Sequence, residues 1–474
     1  MNRLLQLGQT RIDTASGAVF RVAFGLVLAS WCWDYLTLNR VQQYYIEPKF
    51  NFSYYLFDFL RPWPGNGMIF HFLAMLILSV SVTFGFAYRI SSLLLAMGFT
   101  YVFLLDRSNY QNHYYLITLI SWWLPFLPLH RSHSVDAFLF PKRSGDTYPA
   151  WVLWVLRFHI GIPYFFGGIA KLNPDWLLCE PIRQMLASKS SMPIVGEMFL
   201  SELVIIAFAW GGLFFDLLIV PMLMWRKTRV MAYLGCVAFH LLNAVLFNIH
   251  VFPWFMILAT TVFFEPDWPR RLLGGVPLSI AQGEAVPSSF SAMNLQQKLI
   301  ASFLAIYVFV HMAVPFRHML YDGNTSWTER GHHFAWRMML RGKVVVLGYA
   351  VKDRVTQKVT DGNVRRFLNQ EQAEKFGKDP ELILQFAHFL AEQHKQEIGN
   401  YASVYVLVLA SLNGRKPQLM IDPNVDLAAE PRGFYRRSWI MPQTEPLRIP
   451  PWNVPLDQWR SSVEIPRLDF LNQP

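Results

Sequence analysis

The sequence AWVLWVLRFHIGIPYFFGGIAK, residues 150–171, decides the fold class. Arg157, His159 and Lys171 are its only basic residues, it contains no acidic residue, and the remainder is largely apolar. An α-helix rises about 1.5 Å per residue, so about 20 apolar residues cross the hydrocarbon core of a bilayer, which is about 30 Å thick. The stretch therefore predicts a transmembrane helix.

The composition of the whole chain agrees with a membrane protein. Hydrophobic residues make up 53% of the 474 residues and charged residues 16%, whereas a soluble domain carries about 25% charged residues. Residues 1–320 hold 37 charged residues, about 12%, and residues 321–474 hold another 37, about 24%. This asymmetry excludes a single soluble domain. It predicts a bilayer-embedded first part and a water-exposed last part.

Hydrophobic segments of similar length recur on both sides of residues 150–171. They give nine predicted spans, at residues 15–37, 67–88, 90–106, 111–129, 150–171, 203–225, 229–247, 250–265 and 298–317. The segment 229–265 is long enough for two crossings, and we place its turn at the polar cluster Asn248 to His250.

Basic residues between the spans predict the orientation, because Lys and Arg concentrate in cytoplasmic loops. With a cytoplasmic N-terminus, the basic residues of alternate loops all lie on that side: Arg3, Arg11, Arg89, Arg131, Lys142, Arg143, Arg226, Lys227, Arg229, Arg270 and Arg271. An odd number of spans then places the C-terminal part in the periplasm or lumen. The net charge of +10 is dispersed, so we interpret it as a topology signal and expect no nucleic-acid partner.

The pattern changes after Arg317. Residues 343–351 and 403–412 are β-branched and aromatic, which is typical of strands, and residues 370–398 have apolar positions on one side, which is typical of a helix. The tail 429–474 has no period, and we expect it to wrap over other elements. The predicted fold is a multispan α-helical membrane bundle of about nine spans, residues 1–318, with a C-terminal extramembrane α+β domain, residues 319–474.

Ionisable residues inside the predicted spans are candidate functional residues, because a charge in a bilayer is unfavourable. They are Arg21, Asp34, His71, His113, Arg157, His159, Lys171, Asp216, His240 and His311. For Arg21, Asp34, Arg157 and Asp216, the alternative interpretation is a set of buried ion pairs that join helices. Arg157 lies 14 residues before Lys171, close to four helical turns, so the two residues share a predicted face.

Three of these sites converge on the outer side of the predicted bundle. Lys171 ends the fifth span, Asn112 and His113 begin the fourth, and His240 and Asn243 share one face of the seventh. An amine, two imidazoles and two amides predict a pocket suited to the oxygens of a quinone or hydroquinone. In such a pocket desolvation favours the neutral amine, which is a general base. A lysine whose amine snorkels to the membrane surface is the alternative.

The sequence around Lys171 closely resembles the lysine motif of the vitamin K-dependent γ-glutamyl carboxylase family, including its bacterial membrane homologues. The motif here is YFFGGIAKLNPDWLLCEPI, residues 164–182. Further similar segments follow in family order: GAVFRVAFG (17–25), AYRISSLLL (87–95), YVFLLDRSNYQNHYYL (101–116), SVDAFLFPK (134–142), WGGLFFDLL (210–218), FHLLNAVLFNIHVFPW (239–254), EPDWPRRL (265–272), FAWRMML (334–340), MIDPNVDL (420–427) and RSWIMP (437–442). The resemblance covers nearly the whole chain.

The resemblance implies an enzyme, a peptidyl-glutamate 4-carboxylase with vitamin K epoxidase activity. Such enzymes oxidise reduced vitamin K, a naphthohydroquinone, with O2 to the 2,3-epoxide and use the released energy to carboxylate protein glutamate with CO2 to γ-carboxyglutamate. The γ-hydrogen of glutamate is too weakly acidic for a side-chain base, so the family base removes only the phenol-like proton of the hydroquinone. Oxygenation then generates the stronger base in a site that excludes water. No metal is implied.

The resemblance also implies roles for individual residues. Lys171 matches the family base, and Asn112 and His113 match the Asn-His pair of the oxygenation step. His240 and Asn243 match the His-x-x-Asn pair. With Arg157, they form our predicted quinone pocket. On the glutamate side, the family's Trp-x-Met-Met motif places Trp336, Met338 and Met339, followed by Arg341.

Several positions depart from the animal members of the family. Ala170 replaces the first of two tandem lysines, Arg341 replaces a histidine and Asn424 replaces an arginine. Cys32, Cys179 and Cys236 cannot form the disulfide that joins the membrane part to the cap in animal members. From this missing disulfide and the short tail ending at Pro474 we expect a bacterial inner membrane, with the lipid bilayer and a glutamate-containing protein or peptide as partners.

Two alternatives remain at this point. One is a quinol epoxidase that does not carboxylate a peptide, which the altered glutamate side motivates. The other is a non-catalytic membrane scaffold or transporter that keeps the fold. The sequence leaves the protein substrate, the native quinone and the oligomeric state open.

Overall fold

Long apolar helices build the first part of the chain. The computed structural model describes residues 2–468 apart from 248, 276–289, 291–292 and 435–436. Within these residues the helices of the first part are α1 (Asn2–Gln9), α2 (Ala15–Thr37), α3 (Gly67–Phe84), α4 (Tyr88–Leu105), α5 (Asn112–Trp123), α6 (Val135–Leu139), α7 (Trp151–Lys171), α8 (Pro174–Leu177), α9 (Ile182–Ala187), α10 (Glu202–Met224), α11 (Arg229–Leu246), α12 (Phe252–Ala259), α13 (Trp268–Leu272) and α14 (Leu295–Ala313). Two short strands, β1 (Arg11–Asp13) and β2 (Thr147–Pro149), pair antiparallel.

Seven helices of the described residues are long and apolar enough to cross a membrane, judged by length and composition. They are α2, α3, α4, α7, α10, α11 and the continuous helical segment Leu295–Leu320 that contains α14. The other two predicted spans are shorter helices. α5 has 12 residues, about 18 Å of rise, and α12 continues only as a 3₁₀ turn to Phe263. The predicted turn between α11 and α12 is present, although residue 248 lies outside the described residues.

One aromatic core joins the helices of the bundle. Phe20, Trp31, Phe72, Phe99 and Phe255 are each almost completely buried within it. Many other large apolar side chains of the bundle are exposed, as expected for helix faces that meet lipid rather than water. The predicted fold class, a multispan α-helical bundle with an extra domain that contains strands, is confirmed.

The last part of the chain forms a cap around a four-stranded antiparallel sheet. Its elements are α15 (Thr325–Thr328), β3 (Lys343–Asp353), β4 (Val359–Asp361), α16 (Gln370–Phe376), α17 (Pro380–Ile398), β5 (Ala402–Leu412), β6 (Gln418–Leu419) and α18 (Trp459–Ser462), with strand order β4-β3-β5-β6. Val404, Val406 and Val408 alternate inward from β5 and pack against α17 in the cap core. Both predicted strands are therefore confirmed.

The single predicted helix 370–398 is two helices. Pro380 is the first residue of α17, and the Asp379 side chain caps it by accepting a hydrogen bond from the Glu381 backbone N–H at 2.9 Å. Proline lacks a backbone N–H and fits the first turn of a helix but not its interior. The continuous periodicity of the segment masked this break.

Polar and aromatic contacts dock the cap on the bundle. Arg415 of the cap binds Asp175, which follows α7, through two hydrogen bonds of 2.7 Å, and Asn413 donates to the same carboxylate. Phe52, from the loop after α2, is buried in the cap core. The cap position therefore depends on fixed contacts with the end of α7, which carries Lys171.

Candidate active site

A cavity of about 480 Å³ lies where the cap meets the bundle. We call it the inner cavity. It is bordered by the ends of α5, α7 and α11, the middle of α10, the cap segment 332–341 and residues near α16. Its polar lining includes Asn112, His113, Tyr164, Lys171, Asp216, His240, Asn243, Arg337 and Arg341. The Lys, Asn-His and His-x-x-Asn residues that the sequence predicted to converge thus border one space.

Lys171 is buried beside the inner cavity, with 8% of its side chain exposed. Its Nζ donates a hydrogen bond to Oδ2 of Asp216 and lies 5.0 Å from the centre of the Trp176 ring. Within the described part of the chain, Asp216 is the only hydrogen-bond acceptor of this amine. The alternative of a snorkelling lysine is wrong, because the side chain does not extend to solvent.

Two glycines allow this ion pair to form. Gly167 and Gly168 sit on the face of α7 that meets α10. A Cβ at Gly167 would lie 3.0 Å from Oδ2 of Asp216, and one at Gly168 would lie 2.7 Å from the side chain of Leu217. Small residues at a helix interface let the two backbones approach closely. The two glycines thus bring Asp216 within reach of Lys171.

Asn112 and His113 form the first turn of α5. His113 is buried and stacks on Phe252 with ring centres 5.0 Å apart. Asn112 accepts a hydrogen bond from the Tyr110 hydroxyl at 3.0 Å and donates to the backbone carbonyl of Arg337 at 3.4 Å. The pair therefore lies at the seam between the bundle and the cap.

His240 and Asn243 lie one turn apart on α11. Nε2 of His240 is 2.6 Å from the hydroxyl of Tyr164 on α7. Nδ1 of His240 is buried and has no hydrogen-bond partner among the described residues. A buried polar atom without a partner is unfavourable, so this nitrogen is a candidate contact for a bound polar group.

The cap contributes a segment with unusual backbone geometry. Phe334, Trp336 and Met339 have positive φ angles of 57°, 56° and 60°, a region that bulky L-residues rarely adopt. Met338 and Met339 border the inner cavity, whereas Trp336 is buried behind it and packs on Tyr115 at 4.9 Å. Clustered strain of this kind is typical of functional segments.

Positive charge surrounds the cap side of the inner cavity. Arg107, Arg337, Arg341, Lys375 and Lys378 all border it, and Asp379 is the acidic residue among them. The carboxylate of Asp379 is paired with Arg107 at 2.9 Å. The surplus of cations favours an anionic ligand at this end.

Two buried histidines lie among these cations. Burial, followed by the charge of Arg341, holds the pKa of His332 well below its usual value. Burial, followed by the charge of Arg107, does the same for the pKa of His333. Both imidazoles are therefore neutral near pH 7.

Arg341 and a second buried lysine share one carboxylate. Arg341 donates to Glu329 at 2.7 Å, and its Nη1 lies 2.7 Å from His332 Nε2. Lys343 donates to Glu329 at 2.7 Å and to the carbonyls of Trp327 and Lys378 at 2.8 Å. All three N–H groups of Lys343 are thereby satisfied.

A second cavity of about 550 Å³, the side cavity, lies next to the inner cavity. It is lined by aromatic and charged residues that include Tyr54, Tyr55, Phe57, Arg317, Tyr321, Arg330, Phe434 and Arg437. Arg107, His333 and Asp379 border both cavities. These three side chains form the wall between them.

Arg157 and Trp336 are the predicted site residues that do not border the inner cavity. Arg157 instead donates to the backbone carbonyls of Val262 at 2.7 Å and Phe264 at 3.1 Å. From the sequence, Asp216 is a candidate functional residue with a buried ion pair between helices as the alternative, but its partner Lys171 is not identified. Its partner lies 45 residues away on another helix, and no local pattern pairs the two positions.

Two family models match the chain. The model described as HTTM domain matches residues 9–268, and the model described as vitamin K-dependent gamma-carboxylase, lumenal domain, matches residues 296–446. No solved structure matches the chain.

Proposed function

The chain belongs to the vitamin K-dependent gamma-carboxylase family, and on that premise we propose that it is a membrane enzyme that couples oxygenation of a naphthohydroquinone to its epoxide with carboxylation of protein glutamate. The observation that carries this proposal is the convergence of Lys171, Asn112, His113, His240 and Asn243 on one cavity. These residues come from three helices that are far apart in the sequence.

The lining of the inner cavity fits a hydroquinone. Phe208, Phe239, Phe247 and Phe252 supply apolar walls for a ring system, while the unpartnered Nδ1 of His240 and the amide of Asn243 are available to its oxygens. Ligand pockets of this class combine apolar walls with a few polar groups that fix orientation. Bound hydroquinone would, together with O2, supply the strong base that removal of the glutamate γ-proton requires.

Lys171 and Asp216 act as one proton-accepting unit in this proposal. Transfer of a proton from Nζ of Lys171 to Oδ2 of Asp216 converts the ion pair into a neutral amine and a neutral acid. This neutral form is the state of the pair that the proposal requires. The free amine then has the lone pair that accepts the hydroxyl proton of the hydroquinone.

Cap residues cover one side of the inner cavity and would limit the access of water to the reacting centre. Met338 and Met339 border the inner cavity above Lys171, and the Arg337 carbonyl accepts a hydrogen bond from Asn112 at the seam. Exclusion of water preserves a strong base for carbon–hydrogen bond cleavage.

The cations at the cap end suit the other substrate. Among the described residues, Arg337 and Lys378 border the inner cavity without an ion pair, whereas Lys375 is paired with Glu371. A glutamate side chain would supply the missing negative charge. In the proposed topology the N-terminus is cytoplasmic and the cap lies in the periplasm or lumen of a multi-pass membrane protein. The hydroquinone then reaches the site from lipid and the glutamate-containing chain from water.

The second candidate function is epoxidation without carboxylation. It is motivated by Arg341, whose guanidinium is already bound by Glu329 and His332. An arginine engaged in this way is less available to a substrate carboxylate than a free one.

The experiment supplies purified enzyme in nanodiscs with reduced vitamin K, O2, isotopically labelled CO2 and a glutamate-containing peptide. We expect both epoxide and fixed label from the parent chain, and about 10²- to 10⁴-fold less of both products from Lys171→Ala. Epoxide without fixed label would select the second candidate. Absence of both products in folded parent protein would refute the proposed function.

The matched control is Lys227→Ala. Lys227 is an exposed lysine at the opposite end of the bundle, so this variant changes the net charge equally without touching the inner cavity. We expect it to form both products at the parent rate.

A further inference from the structure

A third cavity, of about 700 Å³, lies at the end of the bundle opposite to the cap. We call it the basal cavity. It forms where α3 turns into α4 and where the loop after α5 leads to α6. It is lined by Ala87, Arg89, Ile90, Pro128, His130, Arg131, Asp136, Ala137, Phe140, Lys142 and Arg143. None of these residues has a part in the function proposed above.

The basal cavity concentrates four cations that have no carboxylate partner among the described residues, and one of them, Arg143, lies over the Phe140 ring at 5.7 Å. Arg89, Arg131, Lys142 and Arg143 border it, and within the described ranges none of them lies within 4.0 Å of a carboxylate oxygen. The acidic residue of the lining, Asp136, is bound by backbone groups of the cavity wall. Its two carboxylate oxygens accept hydrogen bonds from the backbone N–H groups of Ala87 at 2.8 Å and Tyr88 at 2.9 Å. The four cations outnumber this one carboxylate, so the lining has a net positive charge.

Buried polar atoms in the same lining also lack partners. Nδ1 of His130 and Nε of Arg131 are buried and make no hydrogen bond with any described residue. The imidazole of His130 stacks on Tyr88 with ring centres 4.8 Å apart. Native structures seldom leave such atoms unsatisfied, so a ligand that accepts hydrogen bonds would complete the site.

The walls of the basal cavity are held in place from inside the bundle. Arg21, almost completely buried in α2, donates to the carbonyls of Leu129 at 3.3 Å and His133 at 2.6 Å. Gly85 has a φ of +64°, and a Cβ there would lie 2.5 Å from a guanidinium nitrogen of Arg21. The loop that carries His130 and Arg131 is thus fixed against α2 and the end of α3. The wall of the cavity that carries His130 and Arg131 is therefore built into the bundle.

Exposed apolar side chains lie beside the basal cavity. Phe138 is 82% exposed, and Phe86, Ile90, Phe126 and Phe140 are each at least half exposed. Next to membrane-spanning helices, such residues would contact acyl chains rather than water. The positively charged lining thus lies next to an apolar surface, in the same way that the charged headgroup of a phospholipid lies next to its acyl chains.

We propose that the basal cavity binds the headgroup phosphate of an anionic phospholipid, with the acyl chains lying along Ile90, Phe138 and Phe140. Basic pockets between membrane helices recognise such headgroups. The lining supplies guanidinium groups, each of which can donate two hydrogen bonds to two oxygens of one phosphate. A free phosphate ion would use the same cations but would leave the apolar rim without a partner.

Native mass spectrometry of the full chain in mild detergent tests the proposal. Phosphatidylglycerol and phosphatidylcholine with identical acyl chains are added in equal amounts, and the bound lipid is counted. We expect the parent chain to retain phosphatidylglycerol in preference to phosphatidylcholine. Lys142→Ala/Arg143→Ala should weaken phosphatidylglycerol binding about tenfold or more, since each basic residue near a membrane surface contributes substantially to anionic lipid attraction.

The matched control is Arg226→Ala/Lys227→Ala, which removes two exposed basic residues at the same end of the bundle but outside the basal cavity. Retention unchanged in this control supports the site. An equal loss of phosphatidylglycerol binding in both double variants would show that general surface charge causes the effect, and it would overturn the proposal. If the first double variant does not fold, Arg89→Gln takes its place with the same expected loss.

A second arm distinguishes a lipid from a free anion. Millimolar inorganic phosphate is added before the lipid, at constant ionic strength. Continued retention of phosphatidylglycerol supports the lipid. Complete displacement by inorganic phosphate would identify a soluble anion as the ligand and overturn the proposal.

Discussion

Two buried lysines with carboxylate partners differ in how completely their amines are satisfied. Lys343 of the cap is fully buried and donates to Glu329 and to two backbone carbonyls. Lys171 of the bundle has Asp216 as its hydrogen-bond acceptor among the described residues and borders an open cavity. A buried charge is tolerated when its hydrogen-bonding capacity is used. The difference indicates that Lys343 holds structure, whereas Lys171 retains capacity for a ligand.

Substitution of Lys171 tests this comparison with the largest expected effect. Lys171→Ala should lower epoxide formation by about 10²- to 10⁴-fold, the usual contribution of a general base. Lys171→Arg is the sharper variant, because arginine keeps the pair with Asp216 but does not give up its proton. We expect Lys171→Arg to fold normally and to be equally inactive in an epoxide assay. Full activity in Lys171→Arg would contradict the base assignment.

Substitution of Lys343 should lower the stability of the protein but not its rate of epoxide formation. Lys343→Met leaves Glu329 with Arg341 alone and should destabilise the protein by about 3 kcal/mol, the lower end for a broken buried pair. The folded fraction should keep its rate of epoxide formation. Thermal unfolding and activity per folded molecule measure the two effects, with Lys358→Met, at an exposed position just before β4, as control. Loss of activity at unchanged stability would show that the comparison is mistaken.

Replacing the carboxylate of each pair with the matching amide tests the same comparison through the partners of the two lysines. Asp216→Asn should slow epoxide formation by about 10- to 100-fold, the size of effect known for partners that orient ligands at metal sites. Glu329→Gln leaves Lys343 two carbonyl acceptors, so we expect lower thermal stability with little change in epoxide formation. Equal reductions in the rate of epoxide formation in the two variants would contradict the conclusion that one pair is functional and the other structural.

Acidification should weaken the cap through His332 and His333, the smallest of these effects. Their pKa values lie well below the usual value in the folded state, whereas the unfolded chain binds protons below about pH 6.5. The unfolded state therefore binds more protons in this range, so stability is full above about pH 6.5 and falls as the pH is lowered.

Thermal unfolding between pH 7.5 and pH 5.5 measures this slope. His332→Gln/His333→Gln should flatten the decline, because the variant has no imidazole to protonate at these positions. An unchanged slope in this variant would assign the decline to other groups.

The sequence predicted the elements better than their junctions. Hydropathy located the long helices, and β-branched runs located both central strands of the cap. Periodicity did not separate α16 from α17, although Asp379 and Pro380 are a helix-start signal. α5 looked long enough to span because apolar residues continue past Trp123, where the helix ends.

The residues of the candidate site that belong to family motifs were predicted to lie together, whereas the positions of residues outside those motifs were not predicted. Lys171, His113 and His240 border one cavity as expected. Arg157 does not, because spacing along α7 fixes a rotation but not which neighbouring carbonyls compete for the guanidinium. The contact of Asp216 with Lys171 was not predicted, because it depends on the close approach of two helices that Gly167 and Gly168 allow. Pairing between distant helices is a tertiary property that one sequence does not encode locally.

The wall shared by the inner and side cavities has a kinetic consequence. It consists of Arg107, His333 and Asp379, and the first and last of these are joined by a single salt bridge of 2.9 Å. Arg107 Nη2 also lies 3.4 Å from His333 Nδ1, and rotation of these side chains would join the two cavities. Passage between the side cavity and the inner cavity would then depend on whether Arg107 and Asp379 are paired.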